Sequence, residues 1–235
     1  MNIRYYETLP STSLTAAELA RKGASHLTTV VARTQTEGRG RLTRQFFSPK
    51  GGLYFTTVLR TSLAASQYGA VTPFAALAVY RAIRRVCGVC PGIKWVNDLL
   101  LDGKKVCGIL AESGSDQNGT PYILLGIGIN TGETVFPPEL ADIATSLPPC
   151  DRDELLRAIL AELDGVEYAV QRADWLEEYR AYSAVLGREV NVTEQMQTRR
   201  ARALDILENG ALLVRFEDGT TAELCGAEIS LRLTQ

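Results

Sequence analysis

Residues 185–235 carry strand patterns only, and this feature constrains the fold of the 235-residue chain more than any other. Several short runs of alternating apolar residues follow Gly187, and two of the links between them are Asn209-Gly210 and Asp218-Gly219. Both dipeptides are typical of two-residue hairpin turns. A meander this short is too small for a stable open sheet, so the pattern predicts a small β-barrel packed on a larger domain.

Residues 1–184 mix helical and strand patterns, which predicts one larger α+β domain. Capping residues and apolar residues at three- and four-residue spacing predict helices that open near Thr15, Thr72 and Asp151. Strand-like runs lie between them, at residues 27–33, 53–60, 92–97, 105–112 and 122–130. We expect a mixed, mostly antiparallel sheet with the helices packed on one face.

The charge of the chain is close to balanced overall but is unevenly distributed. The net charge of −2 and the pI near 5.6 argue against a dedicated nucleic-acid coat protein. Residues 33–60 hold six Lys or Arg and one acid, which gives +5, whereas residues 151–180 hold nine acids and four arginines, which gives −5. A local cationic segment in a neutral protein favours a site for a small anion.

The cysteines and the single histidine exclude several kinds of chemistry. Five cysteines is an odd number, so we interpret them as reduced. Cys87-x-x-Cys90 has no second pair at metal-ligand spacing, which favours two small core thiols at the end of a helix. His26 is the only histidine, which leaves little room for Ser-His-Asp or Cys-His catalysis.

No signal peptide or long apolar run is present, so we expect a cytoplasmic protein.

The cationic segment contains an unusual glycine- and arginine-rich stretch, QTEGRGRLTRQF, at residues 35–46. Gly38 and Gly40 let the backbone approach a ligand, and the guanidinium groups between and after them suit carboxylate or phosphate. On its own the stretch is also compatible with a solvated surface loop or with an RNA contact.

A second polar cluster, KWVND at residues 94–98, ends a predicted strand. Asn97 and Asp98 offer oxygen ligands of the kind Mg²⁺ accepts, and Lys94 could meet a phosphate, although a solvated strand end with an Asx turn is an alternative. Lys105 opens the apolar run VCGIL, so its ammonium group either reaches back to water or points into a cleft.

The run LLGIGIN at residues 124–130 places two glycines two positions apart in a strand. Gly126 and Gly128 therefore strip side chains from one face of the sheet, which costs stability unless something lies against the bare backbone. A flat ring system would fit there. The spacing matches neither a dinucleotide fingerprint nor a P-loop.

Taken together and in this order, these motifs resemble the biotin–protein ligases. The arginine-rich stretch continues to Tyr54 with few departures from the family pattern, and KWVND, KKVCGIL, GIGIN and ATSL (144–147) match further motifs. The resemblance covers nearly the whole chain. It implies a class II synthetase-like, biotin–lipoate ligase fold for residues 1–184 and an SH3-like barrel for residues 185–235.

The resemblance also implies a reaction, its cofactors and its partners. Biotin and Mg²⁺-bound ATP form biotinoyl-5′-AMP and diphosphate, and the biotin is then transferred to a lysine of a biotin carboxyl carrier protein domain. By analogy two chains could pair as a homodimer. The motifs begin at residue 11 without a winged helix before them, so we expect no sequence-specific DNA binding, and nothing in the chain suggests a membrane partner.

Site residues follow from the positions that match the family motifs. The resemblance implies catalytic roles for Lys105, Arg39 and Arg41. The residues implied to contact biotin are Ser11, Thr12, Ser13, Gln35, Arg39, Gly40, Arg41, Lys105, Gly108, Gly126 and Gly128. The residues implied to contact ATP or the adenylate are Arg41, Arg44, Phe46, Lys94, Asn97, Asp98 and Asn130. Asp98 is the implied magnesium ligand.

Three positions depart from the family pattern. Phe46 stands where the family has tryptophan, Ser13 where it has asparagine, and Val96 where it has proline. A phenyl ring can still stack on adenine but lacks an N–H donor, and a serine shortens a hydrogen bond to biotin. No cation is lost, so activity is expected.

Three alternative functions remain open at this point. A lipoate or octanoyl ligase would share the fold, but its R-R-x-S-G-G-G and His-Asp motifs are absent. An RNA-binding module would use the arginine stretch and predicts steep salt dependence, but it leaves Lys105 and the glycine strand unexplained. An inactive biotin-binding scaffold is disfavoured because the lysine and the arginines are intact.

Overall fold

The computed structural model describes residues 2–41, 44–132, 134–194, 197–226 and 228–231. Seven strands form the larger sheet: β1 Ile3–Leu9, β2 Thr28–Gln35, β3 Leu53–Leu59, β4 Gly92–Lys94, β5 Asp98–Leu101, β6 Lys104–Ser115 and β7 Pro121–Ile129. The helices are α1 Thr12–Arg21, α2 Tyr68–Cys87, α3 Pro138–Ala141, α4 Arg152–Leu163, α5 Val166–Arg172 and α6 Leu176–Ala181. Five strands form the second sheet: β8 Glu189–Glu194, β9 Gln197–Ile206, β10 Leu212–Phe216, β11 Thr221–Leu224 and β12 Glu228–Leu231.

The larger sheet has the strand order β1-β2-β3-β7-β6-β5-β4 and is mixed, as expected. The β1–β2 pair is parallel, and every other pair in this sheet is antiparallel. The sequence did not predict β1, because its polar side chains hide the alternation expected of a half-buried strand. The β5–β6 turn lies at Asp102-Gly103, a dipeptide typical of two-residue hairpins, and both residues have positive φ.

Helices cover both faces of this sheet, which corrects the expectation of a single covered face. Val31, Phe55 and Leu125 belong to the large core that contains α2, α4, α5 and α6. Alternate residues of the same strands, such as Val30 and Val58, pack with Ala16 and Ala20 of α1 on the opposite face. The reason is that all of β3 and the first five residues of β2 are buried, so these two inner strands need cover on both faces.

Two helices begin earlier than the sequence predicts. Helix α1 starts at Thr12 because the Ser11 side chain caps it by accepting from the Ser13 N–H, and the predicted start at Thr15 was wrong. Helix α2 starts at Tyr68, after a 3₁₀ turn, and Pro73 lies inside it rather than at its first position. Its predicted stop was correct, since Gly88 adopts φ 70° immediately after Cys87.

The acidic segment after residue 150 follows the prediction closely. Asp151 caps α4 by accepting from the N–H groups of Asp153 and Glu154, and these hydrogen bonds lower the pKa of the Asp151 carboxyl. The helical stretch then breaks at Gly165, as expected.

In the part of the chain that the structure describes, no helix is long and apolar enough to cross a membrane.

The second sheet is antiparallel, with strand order β11-β10-β9-β8-β12. Gly210 and Gly219 have φ 83° and 84°, in agreement with the two predicted turns. The pairings of the described residues do not join β11 to β12, so closure into an SH3-like barrel stays a prediction. The division at residues 184/185 is likewise our proposal for the domain boundary.

Candidate active site

The arginine-rich stretch forms an irregular hairpin between β2 and β3, which we call the arginine loop (residues 36–52). The Gly40 N–H donates to the Arg44 carbonyl at 2.8 Å, and the Phe46 N–H donates to the Gly38 carbonyl at 2.8 Å. A Cβ atom at Gly38 would lie 2.3 Å from the Phe46 carbonyl oxygen, so the hairpin requires glycine there. The loop tip at residues 42 and 43 lies outside the described residues.

Two arginines of this loop are held by groups from distant parts of the chain. Arg39 forms an ion pair of 3.0 Å with Glu112 of β6. Arg41 donates from Nη1 to Asn97 Oδ1 at 3.2 Å and from Nη2 to the Gly226 carbonyl of the second sheet. Since these partners are acceptors, the two guanidinium groups tie the loop to β6, to the β4–β5 turn and to the second sheet.

Lys105 forms the centre of the charged cluster. Its Nζ lies 2.6 Å from Asp98 Oδ1 on the neighbouring strand β5. The Lys105 side chain is 35% exposed and that of Asp98 is 17% exposed, so the pair is partly accessible to solvent. Asp98 Oδ1 is buried without a well-aligned hydrogen bond, which leaves this contact an ion pair alone. A β-bulge between Leu99 and Leu100 shifts the β5–β6 register next to it.

A glycine floor lies beneath Lys105, formed by Gly108 of β6 and Gly126 and Gly128 of β7. Gly108 and Gly128 are directly opposite each other in the β6–β7 ladder. The Phe46 ring covers both, at 2.9 Å and 2.5 Å from where their Cβ atoms would be, and Lys105 Nζ lies 5.7 Å from the centre of the ring. The bare backbone therefore accommodates a ring, and in this structure that ring is Phe46.

Substitution of Gly128 by alanine is expected to destabilise the fold by about 1–3 kcal/mol, because the new methyl group would overlap the Phe46 ring. Urea denaturation of Gly128→Ala would measure this loss. Adding Phe46→Ala should recover part of it, whereas independent losses would show that the two sites are not coupled. Gly165→Ala is the matched control, since its Cβ would meet only the Glu162 carbonyl oxygen, at 3.8 Å.

A polar network adjoins Gly126 at the start of α1. The Thr12 N–H and hydroxyl both donate to Gln35 Oε1, at 2.8 Å and 3.0 Å, and Gln35 Nε2 donates to Ser48 Oγ at 2.9 Å. Thr56 Oγ1 lies within hydrogen-bond distance of the hydroxyls of Thr12 (2.8 Å) and Ser13 (3.2 Å). Ser11, Thr12 and Ser13 are all buried, as are Ser48 and Thr56.

Sequence reasoning missed Ser48 and Thr56. Both hydroxyls complete the network through partners that are distant in sequence, so a motif around either residue could not reveal it. Thr56 lies on β3 directly opposite Gly126, and the SPKGG motif holds Ser48. The only signal for Thr56 in the sequence was the pair of polar residues Thr56 and Thr57 within an otherwise mostly apolar strand.

The remaining predicted site residues lie at the edge of the cluster. Lys94 is opposite Asp98 in the β4–β5 ladder. Asn97 joins the turn to β6, because its Nδ2 donates to the Ile109 carbonyl at 3.1 Å and its own carbonyl accepts from the Ile109 N–H at 2.8 Å. Asn130 is buried, and its Nδ2 donates to the Thr145 carbonyl at 3.1 Å.

The ATSL segment at residues 144–147 closes the side of the cleft next to Lys105. The Lys105 N–H donates to the Ile143 carbonyl, and the Thr145 N–H donates to the Lys105 carbonyl, each at 2.9 Å. The Leu147 N–H donates to the Asn130 carbonyl at 2.9 Å. These bonds fix the backbone on both sides of Lys105, so its side chain projects from a rigid position.

A cavity of about 360 Å³ lies beside the arginine loop. Arg39, Gly40 and Arg41 line one wall, Ile109 to Glu112 of β6 line another, and Gly69, Thr72 and Cys225 complete it. Its size is at the lower end of the range for small-molecule sites. The cavity is therefore large enough for part of a ligand that both arginines could reach.

The match to known proteins agrees with this geometry. The model of the biotin/lipoate A/B protein ligase family matches residues 5–130, which include the arginine loop, Lys105 and the glycine floor. The chain belongs to this family. Apart from Gly226, the residues of the site lie on the strands of the larger sheet, on the loops and turns that join them, or at the start of α1.

Relatives in this family extend the match beyond residue 130. The bifunctional ligase/repressor BirA of Bacillus subtilis is 32% identical over 238 residues, which span 97% of this chain and 73% of that protein. The biotin–[acetyl-CoA-carboxylase] ligase of Paracoccus denitrificans is 34% identical and covers 89% of this chain and 92% of its own length. The biotin protein ligase of Aquifex aeolicus in complex with biotin and ATP superposes with a TM-score of 0.84 at 27% identity, covering 99% of both chains.

Proposed function

We propose that this chain is a biotin–protein ligase, which joins biotin to AMP and then transfers biotin to a lysine of a carrier domain. The observations that support this proposal are that Arg39 and Arg41 line one cavity and that Arg41 is bonded to Asn97, the neighbour of the Asp98 that pairs with Lys105. Family membership and full-length similarity to biotin protein ligases support the same reaction.

In the first step, a carboxylate oxygen of biotin attacks the α-phosphorus of ATP and diphosphate leaves. Both reactants are anions, so their approach needs positive charge placed where negative charge accumulates. Lys105 supplies this charge from a fixed strand position, and the guanidinium groups of Arg39 and Arg41 supply it from the loop. Substrate anions would replace Asp98, Glu112 and Asn97 as the partners of these cations.

In the second step, the amine of a carrier lysine attacks the acyl carbon of the adenylate. The new amide bond forms as the bond to the phosphate oxygen breaks, AMP leaves, and the amine loses a proton. Lys105 would stabilise the departing phosphate, because the same ammonium group lies next to the bond in both steps.

The buried hydroxyl and amide network suits the head of biotin. A ureido ring presents donors and an acceptor close together, and Thr12, Ser13 and Gln35 offer both kinds of group within a few ångströms of the glycine floor. Each of these residues already has a partner in the structure, so a ligand is bound by exchange of hydrogen bonds rather than by filling empty valences.

Magnesium would enter with ATP. The donor set fits this role only in part: Asp98 offers a buried carboxylate oxygen, while the Asn97 side chain is already bonded to Arg41 and Ile109. In the described residues no cluster of three His, Cys, Asp or Glu side chains could hold a metal. Mg²⁺ often binds through one carboxylate and the substrate phosphates, and Asp98 is the residue that would supply that carboxylate.

The experiment that tests this function offers biotin and lipoate separately with ATP and Mg²⁺, and then adds an apo carrier domain. We expect acyl-adenylate with biotin alone and a mass increase of one biotin on one carrier lysine. Adenylate formed with lipoate instead would place the chain in the lipoate branch of the family. No adenylate with either acid would contradict the proposal.

Two further expectations concern partners. The names of relatives point to a carboxylase carrier as the acceptor, and an acetyl-CoA carboxylase carrier domain is our first choice. Pairing of two chains and absence of operator binding stay predictions. Light scattering with and without biotin, and a gel shift at physiological salt, would test them.

A further inference from the structure

Two turns of the second sheet reach the active-site cluster from outside the larger sheet. The β11–β12 turn supplies the Gly226 carbonyl that accepts from Arg41, and Cys225 beside it lines the cavity. The β9–β10 turn, Asn209-Gly210, reaches Trp95 of the KWVND motif. The second sheet therefore contacts the same motif segment and the same loop that hold the site's charged groups.

The contact at Trp95 is a single buried hydrogen bond. Trp95 is 2% exposed, and its only polar side-chain atom, Nε1, donates to the Gly210 carbonyl at 2.9 Å. The bond links positions 115 residues apart in sequence. A buried indole N–H without an acceptor is costly, so this bond fixes the orientation of the ring.

The turn that accepts this bond is itself wedged in place. A Cβ atom at Gly210 would lie 2.6 Å from the Gly69 carbonyl oxygen, and one at Gly69 would lie 2.7 Å from the Asn209 carbonyl oxygen. The turn thus sits directly on the first turn of α2, with no space for either side to shift closer. It is a rigid support for the indole.

Trp95 is two and three residues before Asn97 and Asp98, which hold Arg41 and Lys105. The segment between β4 and β5 is a turn, so the strand ladder does not set its path by itself. Asn97 is anchored on one side by its two hydrogen bonds to Ile109. Trp95 anchors the other side through the second sheet.

We propose that Trp95 is a positioning residue for activation of the acid by ATP, acting through Asn97 and Asp98 rather than by touching substrate. This inference rests on the proposed function and adds a role for the second sheet in it. A displacement of about 1 Å at such positions lowers a reaction rate about 100-fold. Binding of biotin alone uses the network at α1 and is expected to be unaffected.

The chain offers a matched control in its other tryptophan. Trp175 is 1% exposed, packs edge-on against Phe74 and Tyr179, and its Nε1 has no hydrogen-bond partner among the described residues. Trp95→Phe and Trp175→Phe therefore remove the same indole from two buried positions. Only the first removes a hydrogen bond to the second sheet.

The test measures kcat and KM for ATP from diphosphate release at saturating biotin, biotin affinity without ATP, and the melting temperature. We expect Trp95→Phe to lower kcat/KM for ATP about 10- to 100-fold with biotin affinity within about twofold of wild type. Trp175→Phe should lower the melting temperature but leave kcat/KM for ATP and the biotin affinity within about twofold of wild type. If the melting temperature fell equally in both variants and kcat and KM for ATP were unchanged in both, the proposal would be overturned.

Two additions keep the test decisive. If Trp95→Phe does not fold, Gly69→Ala displaces the Asn209-Gly210 turn without altering the indole, and wild-type kinetics in that variant would overturn the inference. Hydrogen exchange over residues 96–99 needs no catalysis: faster exchange in Trp95→Phe than in Trp175→Phe supports positioning, and equal exchange contradicts it. An inactive wild-type chain would contradict the proposed function instead.

Discussion

Lys105→Ala is expected to lose adenylate formation by about 10²–10³-fold or more, while the protein remains folded. The reason is that Lys105 is a cation above the bare backbone of Gly108, fixed by backbone bonds to residues 143 and 145 and 2.6 Å from its present partner Asp98. Its ammonium group stabilises charge that develops only as the carboxylate and the α-phosphate approach each other. Diphosphate release with biotin and ATP measures the loss.

Stability separates this role from a structural one. Lys105→Ala leaves the Asp98 carboxylate, which is 17% exposed, without its ion-pair partner, so we expect a loss of about 1–3 kcal/mol in the free energy of unfolding, to be measured beside the activity. Lys104→Ala is the control, since Lys104 is the preceding residue and its Nζ donates only to the Ala141 carbonyl at the surface. Undiminished diphosphate release by Lys105→Ala, or an equal loss in Lys104→Ala, would show that the role assigned to Lys105 is wrong.

Arg41→Ala is expected to release activated biotin into solution, so that lysines of bystander proteins become labelled. Arg41 joins the arginine loop to Asn97 and to the Gly226 carbonyl, and loss of both contacts removes the link that closes the loop over the adenylate. Closed loops protect reactive intermediates from water and from other nucleophiles. We expect labelling of a non-carrier protein to rise at least about tenfold, by analogy with losses of single positioning groups.

Labelling of serum albumin, followed by streptavidin blotting, measures this leakage. Arg33→Ala is the control, because Arg33 lies on β2 outside the loop and pairs with Glu7 at the surface. Carrier modification should continue in Arg41→Ala, although more slowly. If Arg41→Ala still modified the carrier and albumin labelling did not rise, the proposal that Arg41 closes the loop would be wrong.

Local chemistry made parts of this site predictable from sequence. Asp102-Gly103 is typical of a hairpin turn, so it places Asp98 and Lys105 on neighbouring strands, whereas their contact also depends on the bulge between Leu99 and Leu100. Alternation along β7 likewise required Gly126 and Gly128 to share one face. The glycines of the arginine loop were expected to let the backbone approach a ligand, which stays a prediction; in the structure Gly38 lies against the Phe46 carbonyl of its own loop.

Other parts depend on tertiary packing and left no local signal. Phe46 was expected to meet a nucleotide, but in this structure it covers Gly108 and Gly128, because a loop side chain settles where the sheet is bare. The bond between Trp95 and Gly210 links the two sheets, and although the Asn209-Gly210 turn was predicted, no sequence pattern specifies where it docks. The parallel strand β1 was missed for a related reason, since its pairing with β2 stabilises a segment whose own sequence is mostly polar.

The central claim is that Lys105 and the two loop arginines jointly surround the junction between the biotin carboxylate and the α-phosphate of ATP. A crystal structure of the chain with biotin and a non-hydrolysable ATP analogue measures this directly. The account predicts Lys105 Nζ within about 3.2 Å of a carboxylate or α-phosphate oxygen, with at least one of the guanidinium groups of Arg39 and Arg41 at similar distance. The account would be contradicted if both ligands were bound while Lys105 stayed paired with Asp98, Arg39 with Glu112 and Arg41 with Asn97.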